Sequence, residues 1–286
     1  MMKHFYQTAA AMLIISIIFS GCTPNEPATT NANSNYIGGP LELVRAKYIA
    51  RQTSKDFPAK TSSEKKLQVT FRQAVVDLLA NNDPTQRAVA AEELGELRKL
   101  QGGEALLLGV EDENAVVREK SIEGLGWIGD KKSAPRVAAA LGDKSGDVRI
   151  AAATALGRLQ NPRTVANLIE GLKDSDSRVR AACATSLGQM HDKSVTEELV
   201  AVLQNDSAPR VRAAAAGAIG LIKDPCSTTP LVSALKDNDV LVRYQVIGAI
   251  EAIGDPKTIA PLSTMLKDPD VTIQKRAKHA ITHMKN

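Results

Sequence analysis

The sequence is poor in the residues from which catalytic centres and stacking surfaces are built. Four Phe, four Tyr and one Trp are spread over 286 residues, with four His and three Cys. So few aromatic rings argue against a polysaccharide- or peptidoglycan-binding module, which stacks sugars on aromatic faces. Long hydrophobic runs are missing too. The apolar stretch Ala9 to Phe19 spans eleven residues, too few to cross a bilayer.

An excess of one charge is also missing where it would matter. The net charge of +4 and pI near 8.9 suggest a basic surface, yet from residue 83 onward 27 Lys and Arg face 27 Asp and Glu. Nucleic-acid binding needs a basic stripe, so no nucleic-acid partner is expected. The charges divide along the chain instead. Residues 83–130 hold five basic and eleven acidic groups, and residues 131–286 hold 22 and 16. Ends of opposite sign could orient a partner or another copy.

What is present is a period. Arg87, Arg118, Arg149, Arg180, Arg212 and Arg243 recur at intervals of 31, 31, 31, 32 and 31 residues, and Gln274 stands 31 further on. Six residues before each arginine is Asp112, Asp143, Asp174, Asp206, Asp237 or Asp268, counted from Arg118 to Gln274. Seven after lie Leu94, Leu125, Leu156, Leu187, Ile219, Ile250 and Ile281, and eight after lie Gly95, Gly126, Gly157, Gly188 and Gly220, before Glu251 and Thr282 break the pattern. Self-similarity at this period predicts a solenoid, each unit burying its apolar face against its neighbours.

Each unit is expected to be a helix hairpin. In Asp147 to Leu159 the residues Val148, Ala152, Leu156 and Leu159 form one helical stripe. Asp130, Asn161, Asp192, Asp224 and Asp255 then supply N-cap chemistry for a second helix, and Pro162, Pro225 and Pro256 follow three of them. The extra residue of the 32-residue interval falls near Gln204–Asn205, where it is expected to lengthen a loop. The arginine–aspartate recurrence is assigned to a structural ladder, because arginine's fork of donors matches a carboxylate and the carbonyls of a turn. The glycine recurrence marks close helix approach. A residue present in every unit cannot mark one site.

The pattern D-x-x-x-V-R-x-x-A-x-x-A-L-G-x-L, followed by D-P and a helix ending L-K-D, resembles the short HEAT-like repeats of phycobilisome lyases over roughly residues 81–284. The resemblance implies an all-α, right-handed αα superhelix. It also implies that second helices line the concave face, which makes Arg136, Asn167, Glu170, Glu197 and Glu198 the implied partner contacts. Trp127, the lone tryptophan, is the first candidate interface anchor and otherwise half-buried packing. HEAT-like hydroxylases bind iron through repeated His-Glu pairs, but His191, His279 and His283 are followed here by Asp192, Ala280 and Met284. His279 and His283 share one helix face with no third ligand evident. No nucleophile–base pair is visible. No catalysis, metal or small-molecule cofactor is therefore expected; a lyase- or hydroxylase-like enzyme acting on a protein substrate is the alternative.

Before the repeats, Lys3 and His4 open a short polar start, and the apolar run ends in Phe19-Ser20-Gly21-Cys22. That arrangement fits a secretory signal segment and resembles the bacterial lipobox, which implies a signal peptide 1–21, cleavage before Cys22 and lipidation of its sulfur. The lipid would attach the protein to a membrane of the bacterial cell envelope, the outer membrane facing the periplasm in a Gram-negative cell. Residues 22–40 form a polar tether with a reach of about 20–25 Å. Two helical patterns, Leu41 to Arg51 and Lys65 to Ala80, form an N-terminal cap (41–80) ahead of the solenoid (81–286). Of the remaining cysteines, Cys183 takes a slot filled elsewhere by Ala90, Ala152, Ala215 and Ala277, and Cys226 sits at a helix start. Spacing leaves open whether they pair.

Taken together, these features predict a lipid-anchored envelope scaffold that binds a protein partner.

Overall fold

A computed structural model describes residues 41–54, 62–98 and 100–285. The lipobox with Cys22, the signal segment and the tether lie outside the described residues, as does the connection containing Pro58. The chain divides between Pro58 and Ala59 into two compact units. In the first, α1 (Leu41–Ser54) carries buried Tyr48 and Ile49. No described helix is long and apolar enough to cross a membrane.

The second unit opens with α2 (Ser62–Ala80), which packs on the first of six helix hairpins. The hairpins are α3 (Pro84–Glu96) with α4 (Leu100–Gly109), α5 (Ala115–Ile128) with α6 (Ala134–Ala139), and α7 (Gly146–Leu159) with α8 (Val165–Gly171). They continue with α9 (Ser177–Gln189) and α10 (Thr196–Asn205), α11 (Pro209–Ile222) and α12 (Thr228–Ala234), and α13 (Val240–Ile253) and α14 (Ile259–Thr264); α15 (Val271–Lys285) follows alone. First helices stack on first helices in one layer, with the second helices packed along them. This is the all-α helical-repeat solenoid that the period predicts.

The helix boundaries follow from local chemistry. Five second helices open with a 3-10 turn, and the expected residues cap it: Asp130, Asn161, Asp192, Asp224 and Asp255 each accept from the amide two residues on. The carbonyls of four of these caps also accept from Ser133, Thr164, Ser227 and Thr258 hydroxyls at 2.6–2.8 Å. The fourth hairpin departs, with buried Val195 in that slot. First helices end at a second recurrent position, eleven past the arginine. Arg98, Gly129, Gln160, His191, Lys223 and Gly254 all adopt positive φ there, between 46° and 76°. The left-handed turn leads the chain back into the second helix. His191 therefore marks a turn, its Nδ1 3.0 Å from the Leu221 carbonyl.

The repeated leucines form the core. Leu94, Leu125, Leu156, Leu187, Ile219 and Ile250 are all but fully enclosed, as are Leu168, Leu199 and Leu231 on the second helices. At four of the five glycine slots neighbouring first helices touch backbone to backbone, whereas Gly157 faces the Ser186 and Gln189 side chains. A Cβ on Gly188 would lie 2.6 Å from Ala218 Cα, and one on Gly220 2.8 Å from Ala249 Cα.

One expectation needs correction. The extra residue of the fourth interval does not lengthen a loop. Gln204 and Asn205 are the last residues of α10, which runs ten residues as continuous α-helix, whereas α8 and α12 run seven. Extending the helix keeps the extra backbone groups hydrogen-bonded, with the Asp206 amide donating to the Val202 carbonyl at 3.0 Å.

Candidate functional site

The recurring charges are consumed within the array. In every hairpin the arginine's Nε and Nη2 donate to both oxygens of the next unit's aspartate: Arg87 to Asp112, Arg118 to Asp143, Arg149 to Asp174, Arg180 to Asp206, Arg212 to Asp237 and Arg243 to Asp268, all at 2.7–2.9 Å. The Nη1 of each turns back to the carbonyl of the turn entering its own helix, as Arg118 does to Asp112 O at 2.9 Å. Each aspartate in turn accepts the amide two residues on, as Asp206 does from Ala208 at 2.8 Å. Hydrogen bonds from the arginines hold the carboxyls of Asp174, Asp206 and Asp237 below the usual carboxylate range. Gln274 keeps only the carbonyl bond, to Asp268 O at 2.7 Å. Such saturated, largely buried pairs bind neighbouring units together and leave no charge for a ligand.

The variable polar residues lie elsewhere. Arg136, Asn167, Glu170 and Glu197 are exposed on second helices; Arg136 pairs with Glu111 at 2.8 Å and Glu170 with Lys173 at 2.7 Å. Glu198 differs from them. It is only partly exposed, and its Oε2 is enclosed without a hydrogen-bond partner. The structure thus places four of the five on an open face and turns the fifth inward.

That face carries a groove of about 510 Å³ between α10 and α12. Val200, Ala201 and Pro230 give it apolar surface, and Lys193, Glu197, Gln204 and Asn205 give it polar lining. Cys226 also lines it. Cys226 is an exposed free thiol, whereas Cys183 is fully buried and free. The two do not form a disulfide here. Burial pushes the Cys183 thiol up to about 12, so it has the inert character of a core residue.

Trp127 belongs to the other layer. It is 45% exposed on α5, with the guanidinium of Arg158 4.0 Å and that of Arg98 5.1 Å from its ring. The tryptophan and arginine link three successive units by cation–π contact.

The last helix pair gathers groups that sequence spacing kept apart. Glu251 Oε2 accepts from Arg276 at 2.8 Å, and Oε1 lies 3.2 Å from His279 Nδ1 and 3.3 Å from His283 Nδ1. A third potential ligand thus stands beside the histidine pair, yet among the described residues no three His, Cys, Asp or Glu side chains are arranged to hold a metal ion. Glu251 occupies the slot that glycine fills in five earlier helices.

The comparisons with known proteins agree with this architecture. The family profile of HEAT repeats matches residues 73–148, 134–216 and 196–282, so the chain belongs to the HEAT-repeat family. No curated protein matches it. Among solved structures, it is similar to a chain in the complex of CpcE and CpcF of phycocyanin lyase from Nostoc sp. PCC7120, at 22% identity, TM-score 0.51, over 81% of this chain and 96% of that one. It is also similar to YibA of E. coli, at 22% identity and TM-score 0.55 over 91% and 100% of the two chains. A third is Kap121p bound to Nup53p, at 15% identity and TM-score 0.58, with 85% of this chain covering 32% of that one. At these identities the likeness establishes the fold alone.

Proposed function

We propose that this HEAT-repeat chain is a non-catalytic scaffold of the bacterial cell envelope, attached by lipid at Cys22, which holds a protein partner on its second-helix face. The observation that carries this reading is a division of labour among its polar residues. Those that recur are spent on the ladder and the caps, while Arg136, Asn167, Glu170 and Glu197 vary from unit to unit and are exposed on one face. Variation on a fixed frame is how solenoids acquire binding specificity. Two of the similar structures are complexes, of CpcE with CpcF and of Kap121p with Nup53p, which supports a partner that is itself a protein. The Ser20-Gly21-Cys22 ending of the apolar run supports the anchor.

Two measurements test the reading. Cys22→Ser is expected to abolish palmitate labelling and to leave unprocessed precursor; normal labelling of the variant removes the anchor. Elemental analysis of metal-replete protein is expected to find no stoichiometric transition metal. One equivalent of iron or zinc, lost on His279→Ala and His283→Ala, replaces the scaffold with a metalloprotein.

A further inference from the structure

We propose that copies of this chain associate head to tail, the outer face of α15 of one copy seating in the groove between α3 and α5 of the next. The contact uses the first-helix layer and the end of the array. It is therefore independent of the partner on the second-helix face and leaves that face open.

The groove follows the seam between the two helices. Its first stretch, of about 260 Å³, is walled by Pro84, Ala88 and Val89 on α3 and by Val116 on α5. Its second, of about 350 Å³, is walled by Glu92 and Glu96 on one side and by Glu123 and Trp127 on the other, with Gly124 between them. Val89 and Val116 are 46% and 50% exposed, so neither valine is spent on the core. Carboxylates outnumber bases here. Lys120 is shared, its Nζ 2.9 Å from Glu123 and 3.9 Å from Glu92, and Arg98 lies over the Trp127 ring. Glu96 adds a third carboxylate, and Glu93 and Glu119 flank the seam. Burial, and then the nearby Glu123, raise the Glu119 carboxyl above its ordinary value; the second cause reflects the surplus of negative charge.

The complement is on α15. Its fifteen residues hold Lys275, Arg276, Lys278 and Lys285 and no Asp or Glu. Val271, Lys275 and Lys278 stand at i, i+4 and i+7 on one face, and all three are exposed. Arg276 is spent on Glu251. The carboxylates at the start of the helix are engaged too: Asp270 caps it through the Thr272 and Ile273 amides, and Asp268 is forked by Arg243. A terminal repeat needs a polar outer face, but not one of a single sign.

The two surfaces share a spacing. Seven residues separate Val271 from Lys278, Val89 from Glu96 and Val116 from Glu123, about 10 Å along each helix axis. Laid parallel in the groove with Val271 against Val89 and Val116, α15 brings Lys275 and Lys278 to Glu92, Glu96 and Glu123. Valine meets valine, and ammonium meets carboxylate. Because the contact joins unlike surfaces, it links copies in series unless the rotation closes a ring. It also gives a use to the division of charge along the chain, acidic over residues 83–130 and basic beyond. An anionic lipid surface would match the lysines and not the groove. A foreign basic segment would match the groove and leave the lysines unused. A second copy accounts for both.

Sedimentation velocity of the full chain in non-ionic detergent, over a concentration series, tests the contact. The parent is expected to self-associate, and less so as salt is raised. Lys275→Glu with Lys278→Glu should weaken association by about tenfold or more, and so should Glu92→Lys with Glu96→Lys. The two double variants should associate when mixed, since each supplies the surface that the other lacks. The chain carrying all four substitutions should regain association by itself, because reversed lysines then meet reversed glutamates. Either recovery excludes unfolding as the cause of the loss. A parent that stays monomeric overturns the proposal, as does association indifferent to either reversal, a mixture that stays monomeric, or a fourfold variant that stays monomeric. Binding of a monomeric parent to phosphatidylglycerol vesicles overturns it in favour of a lipid surface at α15, and binding to polylysine in favour of a foreign basic protein in the groove. None of these outcomes touches cross-links from the second helices, so self-association and the scaffold reading fail separately.

Discussion

The stack of α9 on α11 and the stack of α13 on α15 solve the same packing problem in opposite ways. At the first, Gly188 lets a helix backbone approach so closely that a Cβ would lie 2.6 Å from Ala218 Cα. At the second, Glu251 and Thr282 occupy the glycine slot, and Arg276, His279 and His283 gather around the Glu251 carboxylate. The outer stripe of the helices differs as well. Ala213 and Ala216 on α11 are buried, whereas Lys275 and Lys278 in the same register on α15 are exposed. At the glycine slot, then, interior units meet by shape and the final pair by charge, while the arginine–aspartate ladder runs on through Arg212–Asp237 and Arg243–Asp268. The lysine stripe gives α15 a polar outer face where α11 presents a buried alanine stripe.

Deleting core volume should separate the two regions most widely. Leu156→Ala, in the fully enclosed interior, is expected to cost about 2–5 kcal/mol. Ile281→Ala on α15 should cost measurably less, because α15 has a packed neighbour on one side only. Urea unfolding of both variants checks this, and equal losses would break the contrast.

The glycine slot sharpens it. Gly188→Ala gains about 1 kcal/mol of helix propensity but forces two backbones apart, at an overpacking cost of about 3 kcal/mol, for a net loss of about 2 kcal/mol. Thr282→Ala meets no such contact and should be within about 0.5 kcal/mol of the parent. A neutral Gly188→Ala would mean that the helices can separate freely.

Acid should loosen the interior ladder late in the titration. The folded carboxyls of Asp174, Asp206 and Asp237 lie below the ordinary value. Their contribution is therefore fully present above the unfolded pKa of about 3.9 and is lost as pH falls through the folded values. Melting temperature should hold as pH falls to about 4 and decline below, and Asp206→Asn should flatten part of that decline. A decline already complete at pH 5 would assign acid sensitivity to other groups.

The smallest effect concerns the left-handed turns. Lys223 adopts φ 56° where Gly129 and Gly254 occupy the equivalent position. Lys223→Gly should stabilise the array by up to about 1 kcal/mol, and the same change at an exposed helical position such as Lys278 should destabilise it.

These contrasts show what the sequence disclosed. The ladder, the caps and the close glycine contacts were legible because each returns at one spacing with one chemistry; that Arg118 forks the aspartate of the next unit, Asp143, and not the nearer Asp112, emerged only from the fold. The left-handed position was hidden, since Arg98, Gln160, His191 and Lys223 share a backbone conformation without sharing side-chain chemistry. The fate of the extra residue was hidden too. Helix and loop are both compatible with Gln204–Asn205, and the continued backbone bonding of α10 settles it. Glu251 was visible only as a broken pattern. Its partners lie 25 to 32 residues away on a neighbouring helix, a relation that periodicity among like residues does not reveal.

The central claim, that the variable second-helix face holds a protein, is tested most directly by site-specific photocross-linking in intact envelopes. A cross-linker would be placed at Ala201 or Asn167 on second helices and, as control, at Thr185 on the exposed side of α9. The account predicts one protein adduct from both second-helix positions, none from Thr185, and loss of the adduct when Cys22→Ser prevents anchoring. Adducts from Thr185 alone, or the same adducts from every position, would contradict it.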